Sequence, residues 1–239
     1  MFNEFRGFRP PKENVTVWRY INFIKFFDMI DSEELFFCRV DQLDDPFEGK
    51  FRLKDYEETR SIWQNEETIR KHYFVNCWHI NEFQSDAMWR IYLDTKNGIA
   101  IKSNFENIVK SLEPTLDDIQ ISTIRYIDNN NVSFSDLRKE NEILDGWASI
   151  NQFTYKRISF EHEKELRLYY VDTPIPTVSK SVETRNPIDF KKIGINLDSL
   201  ISEIVIAPFA DPWFLDLIHR LLEKYNKTYK VSQSKLYQL

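Results

Sequence analysis

Glycine is scarce in this sequence of 239 residues, with five in all, at positions 7, 49, 98, 146 and 194. Because they stand far apart, neither the glycine-rich dinucleotide-binding fingerprint nor a P-loop can be written anywhere in the chain. Cysteine is limited to Cys38 and Cys77, and the four histidines are scattered, which excludes a disulfide framework and a four-cysteine zinc site. These absences exclude typical Rossmann dehydrogenases, P-loop NTPases and kinases.

An excess of positive charge is also lacking. The chain has 32 Lys and Arg against 38 Asp and Glu, a net charge of −6, so we expect no dedicated DNA binding and no attraction to an anionic membrane. No apolar run approaches the length that crosses a bilayer. With 42% hydrophobic residues and 15% aromatics, the composition is typical of a globular protein, and two reduced cysteines favour a cytoplasmic location.

Hydrophobic patterning predicts one α+β domain over residues 1–239, with a core at about 15–233 and a mixed, mostly antiparallel sheet flanked by helices. The predicted strands are 15–20, 34–40, 72–80, 98–103, 119–127, 165–171 and 203–207. A helix is predicted over most of 134–155, and another after Asp211 and Pro212, with an apolar face that includes Trp213. Three prolines within polar sequence predict a surface loop or lid at 172–190.

The sharpest chemical pattern is Glu163, Glu165 and Arg167. In an extended segment these residues alternate onto one face, so two carboxylates and one guanidinium would share a surface. One glutamate could then bond a substrate hydroxyl and the other act as a base, with Arg167 holding their geometry. The alternative is an exposed row of ion pairs on a strand.

Asp44, Asp45 and Glu48 offer three oxygen ligands within five residues. They could hold Mg2+ as the site of a metal-dependent hydrolase or nuclease, although the ligand spacing of a calcium loop is missing. More often, such a segment is a capped turn, in which aspartates accept backbone N–H groups and Phe47 anchors the loop in the core. Our prediction is therefore that no metal is bound.

Two arginines lie in aromatic company. Arg90 can pair with Asp86 four residues upstream. Arg19 has no carboxylate in its own strand, and burial without one is costly. We therefore expect Arg19 to find a partner across the fold, with Glu163 or Glu165 as candidates, or to bind an anionic ligand.

Several blocks together resemble a large bacterial family of unknown function. They are Trp18-Arg19-Tyr20, the run Leu43 to Glu48, Met88-Trp89 with Tyr92, and the series Lys156, Glu163, Glu165 and Arg167. The order and spacing match over roughly residues 17 to 207. Asp44 stands where the family more usually has asparagine. A looser likeness extends to abortive-infection proteins of the AbiGi type.

The layout is also similar to that of ADP-ribosyltransferases, which place Arg or His on the first strand and Glu-x-Glu on a late one. The likeness implies NAD as a substrate, with no tightly bound cofactor, and the catalytic residues Arg19, Glu163 and Glu165. Arg19 would face the phosphate or ribose, Glu165 the ribose hydroxyl, and Glu163 would activate the acceptor. The usual middle Ser-Thr-Ser element is missing.

The resulting hypothesis is a bacterial defence- or toxin-type effector that binds a small nucleotide and modifies an unknown macromolecular acceptor. Its predicted ligand-binding residues are Tyr20, Arg90, Tyr92 and Arg167. The competing hypothesis is a non-catalytic binding or regulatory module in which the same charges are structural. A closed ion-pair cluster would favour the second hypothesis, and an open aromatic cleft the first.

Overall fold

The structure is a computed structural model, which describes residues 7–63, 65–93, 96–145, 150–172 and 187–238. Helices and a largely antiparallel set of strands confirm the α+β class. The residues group into two compact units. The first unit comprises residues 1–10, 37–77 and 117–191, and the second comprises 11–36, 78–116 and 192–239. A single domain over 1–239 stays a prediction.

The strands are β1 (Thr16–Asn22), β2 (Glu34–Arg39), β3 (Tyr73–Ile80), β4 (Gly98–Asn104), β5 (Ile119–Thr123), β6 (Arg125–Ile127), β7 (Tyr155–Arg157), β8 (Glu165–Val171), β9 (Phe190–Gly194), β10 (Glu203–Ile206) and β11 (Val231–Gln233). The α-helices are α1 (Phe23–Ser32), α2 (Tyr56–Thr59), α3 (Glu66–Arg70), α4 (Asp86–Tyr92), α5 (Phe105–Ser111), α6 (Phe134–Asp145), α7 (Leu197–Leu200) and α8 (Pro212–Lys224). Short 3-10 helices cover Val40–Gln42, Arg60–Trp63, Gln152–Thr154 and Ile158–Glu163. None of the helices in the described ranges is long and apolar enough to cross a membrane.

In the first unit, β8 forms the centre of the strand pairing. It runs antiparallel to β5, with Ile121 opposite Leu168 and Ser122 opposite Arg167. Its first five residues are all buried, so both faces of the strand lie in the interior. Because Glu165 and Arg167 occupy two of those five positions, this strand takes charged groups into the core.

In the second unit, β1 and β4 pair antiparallel along their full length, from Thr16 opposite Asn104 to Asn22 opposite Gly98. Strand β10 pairs antiparallel with β4 and parallel with β11. An aromatic core forms on these strands and α4. It contains Trp18, Tyr20, Met88 and Trp89. The β-branched and aromatic residues of β1 therefore fold as their propensity predicts.

Three expectations about helices are wrong in part. The helix predicted over most of 134–155 is present as α6 over Phe134–Asp145, whereas residues 152–157 form a 3-10 turn and then β7. In α8, Trp213 is exposed, whereas Phe214, Ile218, Leu221 and Leu222 are buried. Asp211 precedes Pro212 as predicted but makes no side-chain capping bond. Most of the lid predicted at 172–190 lies outside the described residues, and β9 begins at its last position.

Candidate active site: an ion-pair cluster in the first unit

The two glutamates of the sharpest sequence pattern come from different elements. Glu163 is the last residue of the 3-10 helix Ile158–Glu163, and Glu165 is the first residue of β8. Between them Lys164 adopts the left-handed conformation, with φ 40°. The prediction that Glu163 and Glu165 alternate along one extended strand is therefore wrong. The chain turns at Lys164 because a 3-10 helix and a strand meet there.

Arg167 joins two carboxylates inside the unit. Its Nε donates to Glu165 Oε2 at 2.6 Å and its Nη2 to Glu165 Oε1 at 3.0 Å. Its Nη1 donates to Glu48 Oε1 at 2.5 Å. The planar guanidinium matches this geometry, with a fork on one carboxylate and a single bond to the other. Arg167 therefore fixes Glu165 and Glu48 relative to each other.

Lys156, on β7, is the second cation that binds these carboxylates. Its Nζ donates to Glu163 Oε2 at 2.5 Å and to Glu165 Oε1 at 2.8 Å, and lies 3.8 Å from Glu48 Oε2. The Phe160 ring covers this ammonium at 4.6 Å. We call Glu48, Lys156, Glu163, Glu165 and Arg167 the ion-pair cluster.

Exposure falls from one end of the ion-pair cluster to the other. The Glu48 and Arg167 side chains are 1% exposed and Glu165 is 3% exposed, whereas Lys156 and Glu163 reach 9% and 10%. The expected alternative of an exposed ion-pair row on a strand is thus wrong, because these charges are buried. A ligand that approaches from solvent meets Glu163 and Lys156 first.

The two glutamates differ in their affinity for a proton. Burial and the neighbouring Glu165 raise the pKa of Glu163 to about 8. Burial also opposes the ionisation of Glu165, but the charges of Arg167 and Lys156 hold its pKa well below the usual range. Burial alone would lower the pKa of Lys156, yet the carboxylates, Glu165 foremost, raise it. Between these two pKa values the cluster holds an ionised Glu165 and a protonated Glu163.

The backbone around Glu165 is also held. The Glu165 N–H donates to the Tyr126 hydroxyl at 2.9 Å. Burial and the Glu165 charge raise the pKa of Tyr126, so its hydroxyl stays neutral. Cys77, on β3, is a free thiol whose pKa is raised by burial and by Glu165. Both groups add neutral contacts beside the carboxylate.

The Asp44 to Glu48 segment is a capped turn, as predicted. Asp45 Oδ1 accepts the Phe47 N–H at 3.0 Å and also the Arg157 guanidinium at 2.8 Å. Gly49 ends the turn with φ 68°, and a Cβ there would lie 2.4 Å from the Phe153 ring. The expectation that Phe47 anchors the loop in the core is wrong, since Phe47 is 46% exposed.

The metal-dependent alternative has little support from this geometry. Asp45 is bound to Arg157, and Glu48 to Arg167, while Asp44 is exposed. Among the residues that the structure describes, no group of three His, Cys, Asp or Glu side chains could hold a metal ion. Two of the three candidate ligands, Asp45 and Glu48, are therefore already paired with guanidinium groups.

Arg19 and Tyr20 lie on β1 of the second unit. The Arg19 guanidinium lies 5.8 Å from the centre of the Trp78 ring. Tyr20 is buried in the aromatic core, and its hydroxyl accepts the Ser85 N–H at 2.9 Å, while burial raises its pKa to about 12. The carboxylates of Glu163 and Glu165 are bound by Lys156 and Arg167. A role for Arg19 beside them stays a prediction.

Of the remaining predicted ligand-binding residues, Arg90 and Tyr92 lie on α4. Arg90 Nε pairs with Asp86 at 3.0 Å, as expected from their spacing, and its Nη2 donates to the Tyr237 hydroxyl at 3.0 Å. Tyr92 is partly exposed. Arg167 is fully buried, which suits the role of holding the glutamates better than ligand contact.

Sequence reasoning missed the parts that Lys156 and Glu48 play in the cluster. Lys156 was visible within the last sequence block, seven residues before Glu163. Glu48 stood out only as a metal ligand candidate, although an arginine predicted on a buried strand requires a second carboxylate nearby. That requirement was the signal that could have linked Glu48 to Arg167.

A narrow recess adjoins the cluster. We call it the recess, and it shares Glu48 and Lys156 with the ion-pair cluster. Its other lining residues are Asp45, Phe47, Lys50, Phe51, Ile127, Asn129, Gln152, Tyr155 and Arg157. The recess therefore meets the cluster at Glu48 and Lys156 and not at Glu163.

Comparisons with known proteins match an established family over only part of the chain. Residues 88–168 match the family described as "Protein of unknown function (DUF2971)", which is less than half of the chain. No curated protein matches. Among solved structures, DarT of Thermus sp. 2.9 in complex with NAD+ is similar at a TM-score of 0.38 and 10% identity, covering 95% of this chain and 98% of that one. A structural likeness at this level carries no argument for function. The family match shows only that residues 88–168 are similar to an uncharacterised domain family.

Proposed function

We propose that this protein is an enzyme that transfers the ADP-ribosyl group of NAD to a macromolecular acceptor, with the ion-pair cluster as its active site. One observation carries the proposal: two glutamates share the Lys156 ammonium, yet Glu165 is ionised and the pKa of Glu163 is raised to about 8. Paired carboxylates with pKa values driven apart supply an anion and a proton carrier for cleavage of a glycosidic bond. The similarity of the sequence blocks to the transferase layout supports the same class.

In the proposed reaction, the bond between ribose C1′ and the nicotinamide nitrogen breaks. Its electron pair leaves with neutral nicotinamide, and the Glu165 carboxylate stabilises the positive charge that develops on the ribose. An acceptor hydroxyl then forms a bond to C1′ and gives its proton to the Glu163 carboxylate. Glu165 would also bond a ribose hydroxyl.

From the transferase resemblance, Arg19 is proposed to bind the phosphate or ribose of NAD, with Tyr20, Arg90 and Tyr92 as further ligand-binding residues. Arg167 would act through Glu165, which it orients. We further propose, from the motif resemblance, that the protein is a cytoplasmic defence- or toxin-type effector in bacteria. A growth assay of cells expressing the wild type or Glu163→Gln tests that role, and equal growth would contradict it.

The test of the reaction uses Glu163→Gln, because Gln keeps the volume and removes the ionisable group. Purified protein is incubated with labelled NAD and a cell lysate, and nicotinamide release and transfer are measured. We expect activity to fall by about 100-fold or more in Glu163→Gln. Glu161→Gln, an exposed residue of the same 3-10 helix, is the matched control and should retain activity.

The pH profile sharpens this test. As a base, Glu163 must be ionised, so the rate should rise as pH increases toward about 8 and then level off. A rate that falls above this pH would assign Glu163 as an acid instead. Wild-type protein that releases no nicotinamide under any of these conditions would contradict the proposed function.

A second candidate function is a non-catalytic binding or regulatory module. It is favoured by the nearly complete burial of Glu48, Glu165 and Arg167, which bond one another. Under this candidate, neither the wild type nor Glu163→Gln would release nicotinamide from NAD. Loss of NAD cleavage in Glu163→Gln with an unchanged melting temperature would exclude it.

A further inference from the structure

A pocket much larger than the recess lies in the second unit, where α4 ends and where the chain leaves β10 for α8. Its volume is about 610 Å³, within the range of pockets that hold small organic ligands. Most of its lining residues are apolar, namely Trp89, Leu93, Ala207, Pro208 and Phe209. We call it the apolar pocket. An apolar lining with a few polar groups is typical of ligand sites.

The inner surface of the apolar pocket is fixed by the aromatic core. Trp89 and Ala207 belong to that core and are almost fully buried, and Leu93 packs against it. A Cβ at Gly98 would collide with the Leu93 side chain, so the absence of a side chain there leaves room for Leu93. Trp89 Nε1 also donates to Gln84 Oε1 at 3.3 Å. A ligand would therefore meet a preformed apolar surface, which lowers the entropic cost of binding.

Phe209 provides the exposed part of the apolar lining. It is 45% exposed. Its ring centre lies 4.8 Å from that of Tyr237, and the Arg90 guanidinium carbon lies 5.7 Å from the ring centre. These neighbours hold the ring in place while much of it remains uncovered, so an aromatic ligand can pack against it.

The charged residues of the lining are both cations, Arg90 and Lys96, and no carboxylate is among the described residues that line the pocket. Arg90 Nε is paired with Asp86, and its Nη2 donates to the Tyr237 hydroxyl. Its Nη1 makes no hydrogen bond with any residue in the described ranges, and the side chain is 62% exposed. Arg90 thus offers free N–H donors, although its charge is balanced by Asp86.

Lys96 supplies the unbalanced charge of the apolar pocket. It is exposed and forms no ion pair with any residue that the structure describes. An unpaired ammonium beside an apolar surface, within a chain of net charge −6, favours a ligand that carries an anionic group on an apolar body. A single unbalanced cation matches a monoanion such as a carboxylate better than a phosphate dianion.

We propose that the apolar pocket binds a small aromatic carboxylate. The ring of the ligand packs against Phe209 and Leu93, and its carboxylate accepts hydrogen bonds from Lys96 Nζ and Arg90 Nη1. The site goes beyond the proposed function. It shares no residue with the ion-pair cluster, and its occupation does not require cleavage of NAD.

Calorimetric titration with naphthoate tests the site. We expect saturable binding to the wild type, and binding weaker by about tenfold in Lys96→Met and in Phe209→Ala, a typical effect of losing one charged hydrogen bond or one aromatic contact. Lys110→Met and Phe83→Ala are the matched controls and should bind as the wild type does, because both residues are exposed in the same unit but lie outside the pocket lining. No saturable binding to the wild type, or equal affinities in the wild type, Lys96→Met and Phe209→Ala, would overturn the proposal.

Two further ligands test the chemistry of the site. Naphthamide has the same rings without the charge, so it should bind about tenfold more weakly than naphthoate, and Lys96→Met should not weaken it further. Cyclohexanecarboxylate keeps the charge but lacks the flat rings, and it should also bind more weakly than naphthoate. Naphthamide binding as tightly as naphthoate would contradict selection by the cations. Equally tight binding of cyclohexanecarboxylate would overturn the assignment to an aromatic acid.

Lys96→Glu keeps the test independent of folding. It reverses the charge at an exposed position, so the melting temperature should be retained and naphthoate binding lost. Naphthoate binding that persists in folded Lys96→Glu would overturn the proposal.

The two proposals fail separately. If naphthoate binds as expected and NAD is never cleaved, the apolar pocket is a binding site and the proposed function is wrong. If NAD is cleaved and naphthoate does not bind, the proposed function stands and the site in the apolar pocket is wrong.

Discussion

The same type of ion pair occurs in two very different settings. In the first unit, Arg167 and Glu165 are 1% and 3% exposed, and in the second unit Arg90 and Asp86 are 62% and 48% exposed. Both pairs have an arginine Nε and a carboxylate within 3.0 Å. An exposed pair gains little because water already solvates both charges. A buried pair makes each member dependent on the other, since the survivor of a deletion stays uncompensated.

The largest effect should follow removal of the buried cation. Arg167→Met leaves Glu48 and Glu165 without their principal partner, so we expect the free energy of unfolding to fall by about 3 to 5 kcal/mol. Urea denaturation followed by fluorescence measures it. A loss smaller than that of an ordinary surface substitution would show that Lys156 alone can neutralise both glutamates.

The next effect concerns the neutral contacts beside the pair. Tyr126→Phe removes the hydroxyl that accepts the Glu165 N–H, and an unsatisfied buried N–H should cost about 1 to 3 kcal/mol. Tyr237→Phe, which removes an exposed hydroxyl from the Arg90 pair, is the control in the second unit. Equal urea midpoints for the two variants would contradict the importance of burial.

The pH dependence of stability should distinguish Glu163 from Glu165. The folded-state pKa of Glu163 is raised from 4.5 to about 8, so its contribution is fully present below pH 4.5 and is lost as pH rises toward 8. The slope is at most about 1.4 kcal/mol per pH unit. Denaturation at pH 5 to 8 should show this slope in the wild type and a flatter one in Glu163→Gln. The lowered pKa of Glu165 acts only at lower pH, where protonation removes its contribution.

The smallest effect should come from the exposed pair. Arg90→Met removes a guanidinium whose partners, Asp86 and Tyr237, remain solvated, so the urea midpoint should not change measurably. Because the pair contributes so little, high salt should not lower the wild-type urea midpoint by weakening it. A clear destabilisation would mean that Arg90 supports the Phe209 ring, 5.7 Å away, through packing.

The sequence predicts the strands more accurately than it predicts the cluster. Strand β8 begins and ends where the pattern of apolar residues predicts. Its apolar and aromatic residues are neighbours in the sequence, so the local pattern is enough to identify the strand. The Arg167–Glu48 bond joins residues 119 positions apart, and no local pattern contains that information. The helix predicted over most of 134–155 is wrong only near its end, at residues 152–155, for a related reason: apolar spacing in a short segment does not distinguish a buried helix from a buried strand.

Lys164 shows how much of the candidate site depends on one backbone conformation. Its left-handed φ of 40° joins a 3-10 helix to β8 and directs two glutamates, only two positions apart, toward a single ammonium. β-branched residues are strongly disfavoured there, whereas glycine and asparagine adopt that conformation readily. In related chains, the residue between the glutamates should therefore vary toward glycine or asparagine and avoid valine, isoleucine and threonine. Such a restriction would mark the turn even where the lysine itself is not retained.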